Sequence, residues 1–429
     1  MTRGIRLGAG ARDALVAFLS FLLLACLQSP GLIAPDTKYD LVVDPGRFLS
    51  QATHLWTGLS FGGQVQNQAY GYLFPQGPFF ALFDLVGTPA WLTQRLWWAV
   101  VLTVAYVGVV RVAAALRIGT RQTRAVAGVL YALAPRMLGD LGSISSEAWP
   151  VALAPWVLLP VIRVLQGRMS PRRGGAGAAL ALALMGAVNA VATAAACLPA
   201  ILWWLMHRPG RTWGRLAAWW LPLSLAVSLW WAVPLVLLGR VSPPFLDHIE
   251  SAEVTTRWSS ATEVLRGAST WVPFVSTDRV AGAAITSEPV FVLATGLLAA
   301  VGVLGLLRRG MPARGRLVVI AAVGLVAMAA PTALAINHAR LAAQVVQQDR
   351  LKKELGMARR LQRSLLPKRR RGCFPLRALN FPAREISGDF YDFFDLPDGR
   401  IAFAVGDVAG KRLVAAFLLG RRGPPLRWA

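Results

Sequence analysis

Long apolar runs separated by basic clusters constrain the fold of this chain more than any other feature. A helix needs about 20 consecutive apolar residues to cross the hydrocarbon core of a bilayer. Runs near or above that length are Ala14–Ala34, Leu96–Leu116, Ala125–Leu141, Ala148–Val164, Gly174–Met206, Leu216–Leu238, Pro289–Leu307 and Leu317–Ile336. The fifth run is too long for one upright helix, and we interpret it as two short or broken helices that turn near Asn189. The sequence therefore predicts a mainly α, polytopic membrane helix bundle of about eight or nine spans.

The basic clusters predict how this bundle is oriented. Arginines precede the first run, and basic clusters follow the runs that end near residues 116, 164, 206 and 307. When the spans alternate across the bilayer, all of these clusters fall on one side, which the positive-inside rule makes the cytoplasm. We therefore predict a multi-pass plasma-membrane protein with a cytoplasmic N-terminus. Because the basic residues are spread over loops and form no single patch, the net charge of +24 does not indicate nucleic-acid binding.

The composition changes near residue 336. Residues 1–336 carry 26 basic and 13 acidic residues, whereas residues 337–429 carry 19 basic and 8 acidic residues in less than a quarter of the length. We place a transmembrane domain at 1–336, a linker helix at 337–367 and a small, incomplete α+β fragment at 368–429. The linker helix is typical either of a short coiled coil or of a basic amphipathic helix on anionic lipid.

Three aspartates recur every four residues directly after the first apolar run: Asp36, Asp40 and Asp44. If this segment is helical, the carboxylates share one face and repel one another, which a metal ion, a cationic ligand or a reaction that needs a base would offset. The alternative is a solvated loop with ordinary acids. Residues 64–92 then combine aromatic residues with prolines and glycines, which favours either interfacial packing or a groove for a lipid substrate.

The chain carries four long motifs in order: DTKYDLVVDPGRFL, QNQAYGYLFPQGPFFAL, PAWLTQRLWWA and LYALAPRMLGDLGSISSEAWPVALAPWVLLP. Together they resemble the N-terminal membrane domain of actinobacterial α-(1→3)-arabinofuranosyltransferases, which are GT-C glycosyltransferases, from about residue 10 to about residue 328. The resemblance implies an enzyme that takes arabinofuranose from a decaprenyl-phosphate donor. It also implies growing cell-envelope arabinan, outside the plasma membrane, as the acceptor. The family's large carbohydrate-binding regions have no counterpart in this sequence, so the expectation concerns donor binding more than acceptor binding.

The same resemblance implies a catalytic acid just after the first span. A polyprenyl phosphate is already a good leaving group, so the reaction needs no strong general acid. The acceptor hydroxyl does need a base, which a carboxylate in the first outer segment can supply. We expect Asp36 to be this base, with Asp40 and Asp44 as the alternatives.

Three basic residues near the outer side are candidates for holding the donor phosphate: Lys38, Arg95 and Arg136. Arg95 can instead anchor the start of its helix, and Arg136 can instead pair with Asp140. Glu147 is a candidate for orienting the acceptor, although an acid in the first turn of a helix is also a routine dipole partner. His54 either contributes to the same substrate-binding site or is a polar loop residue.

The last segment resembles a different family. The motifs ARRLQRSLLP, PAREISGDFYDFF and GDVAGK are similar to the start of SpoIIE-type PPM serine/threonine phosphatases, over about residues 338–418. Two strands are predicted around a hairpin turn at Pro397–Gly399. The resemblance implies that Asp389 and Asp407 match carboxylates that bind a pair of Mg²⁺ or Mn²⁺ ions, which activate a water molecule for attack on phosphorus.

Two objections limit the phosphatase interpretation. The family's further metal-binding acids and two-sheet core have no counterpart here, so we expect a fragment without phosphatase activity. Nine alternating spans would also place this basic segment outside the cell, against the positive-inside rule. We therefore interpret the chain as a fusion of two unlike parts. The alternative function is a membrane-anchored signalling phosphatase whose spans serve as an anchor or sensor.

Overall fold

The computed structural model describes the residues 8–34, 36, 38–54, 56–57, 64–65, 69–186, 188–241, 260–269, 280–326, 375, 377, 379 and 389–407. The chain divides into two compact units, Met1–Ile336 and Asn337–Ala429. The described part of the first unit is almost entirely helical, and the described part of the second contains an antiparallel hairpin. The predicted linker helix lies outside the described residues.

The helices of the first unit are α1 (Ala9–Cys26), α2 (Tyr39–Val43), α3 (Pro45–Ala52), α4 (Gln76–Leu85), α5 (Ala90–Ala115), α6 (Arg121–Ala132), α7 (Pro135–Leu141), α8 (Ser145–Leu165), α9 (Pro171–Ala183), α10 (Ala190–Leu205), α11 (Arg211–Val241), α12 (Ala261–Arg266), α13 (Val280–Ser287) and α14 (Pro289–Leu307). A further helix, α15, covers residues 314–326. Strands β1 (Trp56–Thr57) and β2 (Gln64–Val65) form a short antiparallel pair, and a 3-10 helix covers Ala69–Tyr72. The hairpin of the second unit consists of β3 (Asp389–Asp395) and β4 (Ile401–Asp407).

Helix α8 lies at the centre of the bundle. It packs against α5, α7, α9 and α10, while α5 also packs against α1 and α6, and α9 against α11. The core side of α8 is fully enclosed, since Ala152, Val157, Val161 and Ile162 have no exposed surface. The N-terminus of α8 is therefore fixed among the surrounding helices, and the polar residues of its first turn lie at the end of an apolar core.

Five of the described helices are long and apolar enough to cross a bilayer: α1, α5, α8, residues 211–237 of α11, and α14. Helix α10 is apolar but shorter, at 16 residues. The mainly α, membrane-type bundle is confirmed by this arrangement. The predicted number of eight or nine spans is not confirmed and stays a prediction.

Two helix boundaries differ from the prediction because of prolines. Helix α1 ends at Cys26 and does not continue to residue 34, since Pro30 lacks an N–H group and its neighbours Ser29 and Gly31 have positive φ of 43° and 81°. The run 125–141 forms two helices, α6 and α7, because Pro135 forces the preceding Ala134 into an extended conformation with ψ of 146°.

The break predicted near Asn189 is confirmed. Helix α9 ends at Ala183, and the side chain of Asn189 accepts a hydrogen bond from the N–H of Ala192 at the start of α10. The second half of the last predicted run, beyond residue 326, lies outside the described residues.

Candidate active site

The segment that follows α1 is held in place by two adjacent polar residues of α5. The amide of Gln94 both donates to the carbonyl of Ala34 and accepts from its N–H, each at 2.9 Å. The guanidinium of Arg95 donates to the carbonyls of Gln28 and Leu32 at 3.1 and 3.0 Å. Both side chains are buried, Gln94 completely and Arg95 to 2% exposure. The route of the chain towards Asp36 is therefore fixed by hydrogen bonds from inside the bundle.

Asp36 lies against the N-terminus of α8. Its Oδ2 accepts a hydrogen bond from the Ser145 hydroxyl at 2.5 Å, and its Oδ1 accepts one from the Ser145 N–H at 3.2 Å. The same hydroxyl accepts from Gln76 Nε2 at 3.1 Å and from Trp97 Nε1 at 3.2 Å. Helices α4, α5 and α8 thus meet at one serine, and this serine contacts the first acid after α1.

Aromatic side chains form the apolar wall behind this serine. The ring of Trp97 lies 5.2 Å from that of Phe79 and 5.0 Å from that of Trp149, measured between centroids. Beside them, the hydroxyl of Tyr72 is 3.3 Å from the hydroxyl of Ser146. The aromatic segment predicted for the membrane interface is therefore partly inside the protein, where Tyr72 is 1% exposed.

A cluster of charged residues lies on the neighbouring turn of α8 and on α7. Arg136 Nε is 3.3 Å from the buried carboxylate of Asp140, and Arg136 Nη2 is 3.8 Å from Glu147. The other oxygen of Glu147 accepts a hydrogen bond from Asn189 Nδ2 at 2.7 Å. Arg136 also donates to the carbonyl of Ser269 at 2.8 Å, which ties α7 to the segment after α12. The predicted alternative pairing of Arg136 with Asp140 is present, and the cluster has one more carboxylate than it has cations.

Lys38 is the cation nearest in sequence to Asp36. It is half-buried, and this burial lowers the pKa of its ammonium, while the charge of Asp40 opposes that shift. Within the described residues no hydrogen bond or ion pair engages the ammonium group. A partly desolvated ammonium is a suitable partner for an anionic group.

The remaining predicted residues lie at the surface. Asp40 is in the first turn of α2, whereas Asp44 is extended at φ −143° and caps α3 through the N–H of Arg47 at 3.0 Å. The backbone departs from helical geometry at Lys38 and Asp44, so the segment is not one helix and the three aspartates do not share a helical face. His54 is exposed and follows the end of α3, and its Nδ1 lies 3.2 Å from the carbonyl of Ser50 in that helix.

Sequence reasoning missed several uncharged polar residues of the site: Gln76, Gln94, Ser145 and Asn189 as a partner of Glu147. The site residues predicted from the sequence are all ionisable, whereas these four residues are uncharged. Their position in the sequence could have identified them, because an uncharged amide such as Gln94 within an apolar run needs a hydrogen-bond partner once it is buried.

The second unit contains the predicted hairpin. Strands β3 and β4 are antiparallel, with Asp389 directly opposite Asp407 in the register. The turn is closed by two hydrogen bonds, from the Leu396 N–H to the carbonyl of Arg400 and from the Gly399 N–H to the carbonyl of Leu396, and Gly399 supplies a positive φ of 80°. Among the described residues no group of three or more potential ligands lies close enough to hold a metal ion. The metal-binding role of Asp389 and Asp407 stays a prediction.

Comparisons with known proteins address the first unit most strongly. A family model for the alpha-(1->3)-arabinofuranosyltransferase N-terminal GT-C domain matches residues 20–359. The alpha-(1->3)-arabinofuranosyltransferase of Mycolicibacterium smegmatis is 55% identical over 305 residues, which cover 71% of this chain and 22% of that protein. The corresponding protein of Mycobacterium tuberculosis is 55% identical over 310 residues, covering 72% and 22%. This chain therefore spans about a fifth of the length of the curated relatives it matches.

One solved structure and one further relative add to this picture. The cryo-electron-microscopy structure of arabinofuranosyltransferase AftD from mycobacteria is similar with a TM-score of 0.64 and 54% identity, covering 72% of this chain and 22% of that one. Protein IcfG of Synechocystis is 38% identical over 82 residues, which cover 19% of this chain and 13% of that protein. The family resemblance of the membrane unit is confirmed, and the phosphatase resemblance stays a prediction. The chain belongs to the α-(1→3)-arabinofuranosyltransferase family and carries its N-terminal GT-C domain.

Proposed function

We propose that this chain acts as part of a membrane glycosyltransferase that moves arabinofuranose from a decaprenyl-phosphate-linked donor to cell-envelope arabinan. Family membership and the activity for which its relatives are named support the reaction class. The observation that carries the proposal is the placement of Asp36, the first acid after α1, against the N-terminus of the central helix α8. A lipid-linked donor suits this site, because the site belongs to a bundle whose helices are apolar enough to lie in a bilayer.

In the proposed reaction Asp36 is the base. Its carboxylate takes the proton of the acceptor hydroxyl as that oxygen forms a bond to the anomeric carbon of the arabinofuranose. The bond between the anomeric carbon and the phosphate oxygen breaks, and decaprenyl phosphate leaves with the electron pair. The products are an arabinan longer by one residue, a protonated Asp36 and decaprenyl phosphate.

Lys38 is the proposed partner of the donor phosphate. Arg95 is only 2% exposed and donates to backbone carbonyls, so an anion cannot reach its charge, and the charge of Arg136 is offset by two neighbouring carboxylates. Among the described residues no hydrogen bond or ion pair engages the Lys38 ammonium, although the charge of Asp40 acts on it, and Lys38 lies two positions from Asp36. The Glu147–Asn189 pair can accept and donate hydrogen bonds to acceptor hydroxyls, with Arg136 holding the carboxylate.

Lys38→Gln is expected to raise the donor KM about tenfold with little change in kcat, because the charge acts on the bound phosphate. Lys38→Arg retains the charge and is expected to keep the KM within about threefold. Arg47→Gln, which removes an exposed charge from the same outer segment, is the matched control. Equal donor KM values for Lys38→Gln and Arg47→Gln contradict the assignment.

The reaction itself is tested with the full chain in membranes from a host that makes no arabinan. Isotopically labelled decaprenyl-phosphoarabinofuranose and an arabinan oligosaccharide are supplied, and mass spectrometry measures products longer by one pentose. Chain-dependent labelling is the expected result. Labelling no greater than in membranes without the chain, or labelling from a sugar nucleotide instead, contradicts the proposed function. Protease accessibility of an N-terminal tag tests the proposed cytoplasmic N-terminus in the same membranes.

A second candidate function concerns the second unit alone. The phosphatase-like motifs in the sequence, SGDFYDFF and GDVAGK, and the register that sets Asp389 opposite Asp407 favour a phosphatase-like hairpin that binds Mg²⁺ or Mn²⁺. Manganese binding to the full chain, compared with the Asp389→Asn and Asp407→Asn double variant, tests this site. Identical binding by the two proteins removes the candidate.

A further inference from the structure

The Ser145 hydroxyl is surrounded by groups that leave its hydrogen a single direction. A serine hydroxyl has one hydrogen to donate and two lone pairs that accept. Its neighbours Gln76 Nε2 and Trp97 Nε1 carry hydrogens and donate, so both lone pairs are occupied. The third neighbour, Asp36 Oδ2, is a carboxylate oxygen that accepts. The hydrogen of Ser145 therefore points at Asp36.

Burial protects this arrangement from exchange with water. Ser145 has no exposed surface, and Trp97 and Gln76 are 2% and 6% exposed. A buried hydroxyl with all of its partners in place does not rotate to another acceptor without leaving a donor unsatisfied. The direction of the hydrogen bond to Asp36 is consequently set by α4 and α5 and not by the acid itself.

The main chain of Ser145 holds the other oxygen of the carboxylate. Ser145 is the first residue of α8, where N–H groups have no acceptor within the helix, and its N–H donates to Asp36 Oδ1. The positive end of the helix dipole favours a charged carboxylate at the same place. One residue thus engages both oxygens of the Asp36 carboxylate.

We propose that Ser145 is a positioning residue that fixes the orientation and the basicity of the Asp36 carboxylate. The catalytic consequence rests on the proposed function, in which Asp36 is the base. The hydrogen bonds from Ser145 to Asp36 do not depend on that function, and their effect on the carboxylate can be measured without any turnover.

The test compares Ser145→Ala with Ser146→Ala. Ser146 is the matched control because it is the adjacent buried serine of the same turn and its hydroxyl pairs with Tyr72. The readout is the pH dependence of carbodiimide modification of Asp36 in the full chain, quantified by mass spectrometry, because carbodiimides react with the protonated acid. The charged groups on the segments around Asp36 are present in all variants, namely Lys38, Asp40, Arg95, Arg136 and Glu147.

Loss of a hydrogen bond to the charged form raises the pKa of a carboxyl group. Ser145→Ala is therefore expected to shift the modification midpoint upward by about one pH unit, and Ser145→Cys, a weaker donor of similar shape, by less. Ser146→Ala is expected to leave the midpoint in place. Equal midpoints for Ser145→Ala, Ser145→Cys and Ser146→Ala overturn the proposal.

Transfer assays on the same variants distinguish the positioning role of Ser145 from the proposed function. Ser145→Ala is expected to lower kcat about tenfold while the donor KM stays within about twofold, and the acid limb of the rate profile moves with the modification midpoint. If the midpoint shifts but the parent protein transfers no arabinose, the positioning role stands and the proposed function fails. If kcat falls while the midpoint is unchanged, Ser145 acts through packing alone and the proposal fails.

Discussion

Gln94 is an amide within an apolar transmembrane helix, and both of its polar atoms bond the same backbone residue, Ala34. Its side chain is completely buried, so these bonds replace the water that both groups lose on folding. The amide therefore links α5 to the chain segment that leads into the site. A hydrophobic residue of the same size would leave a backbone donor and an acceptor without partners.

Gln94→Leu is expected to destabilise the protein by about 1–3 kcal/mol for each group left unsatisfied and to lower kcat, because Asp36 follows two residues after Ala34. Thr103→Val on the same helix is the control, since the Thr103 hydroxyl bonds the carbonyl of Ala99 within its own helix. Thermal unfolding in detergent and the transfer rate measure the two effects. Equal unfolding temperatures and equal transfer rates for the two variants would contradict this role of Gln94.

At the scale of elements, close contact between α9 and α11 depends on a glycine. A Cβ atom added to Gly175 would lie 2.9 Å from both the Cβ of Trp219 and the backbone N of Trp220. Small residues let membrane helices approach until their backbones are in contact, because lipid provides no hydrophobic force to drive the helices together. The α9–α11 pair is therefore expected to be sensitive to one added methyl group.

Gly175→Ala is expected to lower stability by about 1–3 kcal/mol through overpacking, since the neighbouring backbone atoms cannot move aside as a side chain can. Gly214→Ala in α11 is the control, because a Cβ there meets no atom within 4 Å. Size-exclusion chromatography after a temperature ramp gives the melting midpoint of each variant. A midpoint for Gly175→Ala equal to that of Gly214→Ala would show that the two helices are not in this contact.

Sequence patterns predicted the elements better than their ends. Hydrophobic length is a local property, so the apolar runs identified α5, α8 and α14 as spans. The ends depended on single residues that the length criterion ignores, such as Pro30 after α1 and Pro135 at the start of α7. Both prolines are visible in the sequence, and their effect on the preceding backbone is general.

At the scale of the whole molecule, the sequence predicted a membrane helix bundle but not the contacts that form the candidate site. Apolar side chains remain exposed on outer helix faces, as on α14, where no residue is buried. Exposed apolar side chains suit a helix that is surrounded by the hydrocarbon core of a bilayer. Asp36 was predicted from its place after the first span, whereas its partner Ser145 lies 109 positions away. Their contact depends on how α4, α5 and α8 pack, and no periodicity in a single segment encodes that packing.

The proposed function requires that Asp36 performs the chemistry of arabinofuranosyl transfer and does not merely support the fold. The measurement is a single-turnover rate with labelled decaprenyl-phosphoarabinofuranose prebound to the full chain, comparing the parent with Asp36→Asn and Asp40→Asn. Asp36→Asn is expected to bind the donor with an affinity within about twofold of the parent and to transfer it about 10²–10⁴-fold more slowly, while Asp40→Asn transfers at the parental rate. Transfer by Asp36→Asn at the parental rate, or an equal loss in Asp40→Asn, would contradict the account.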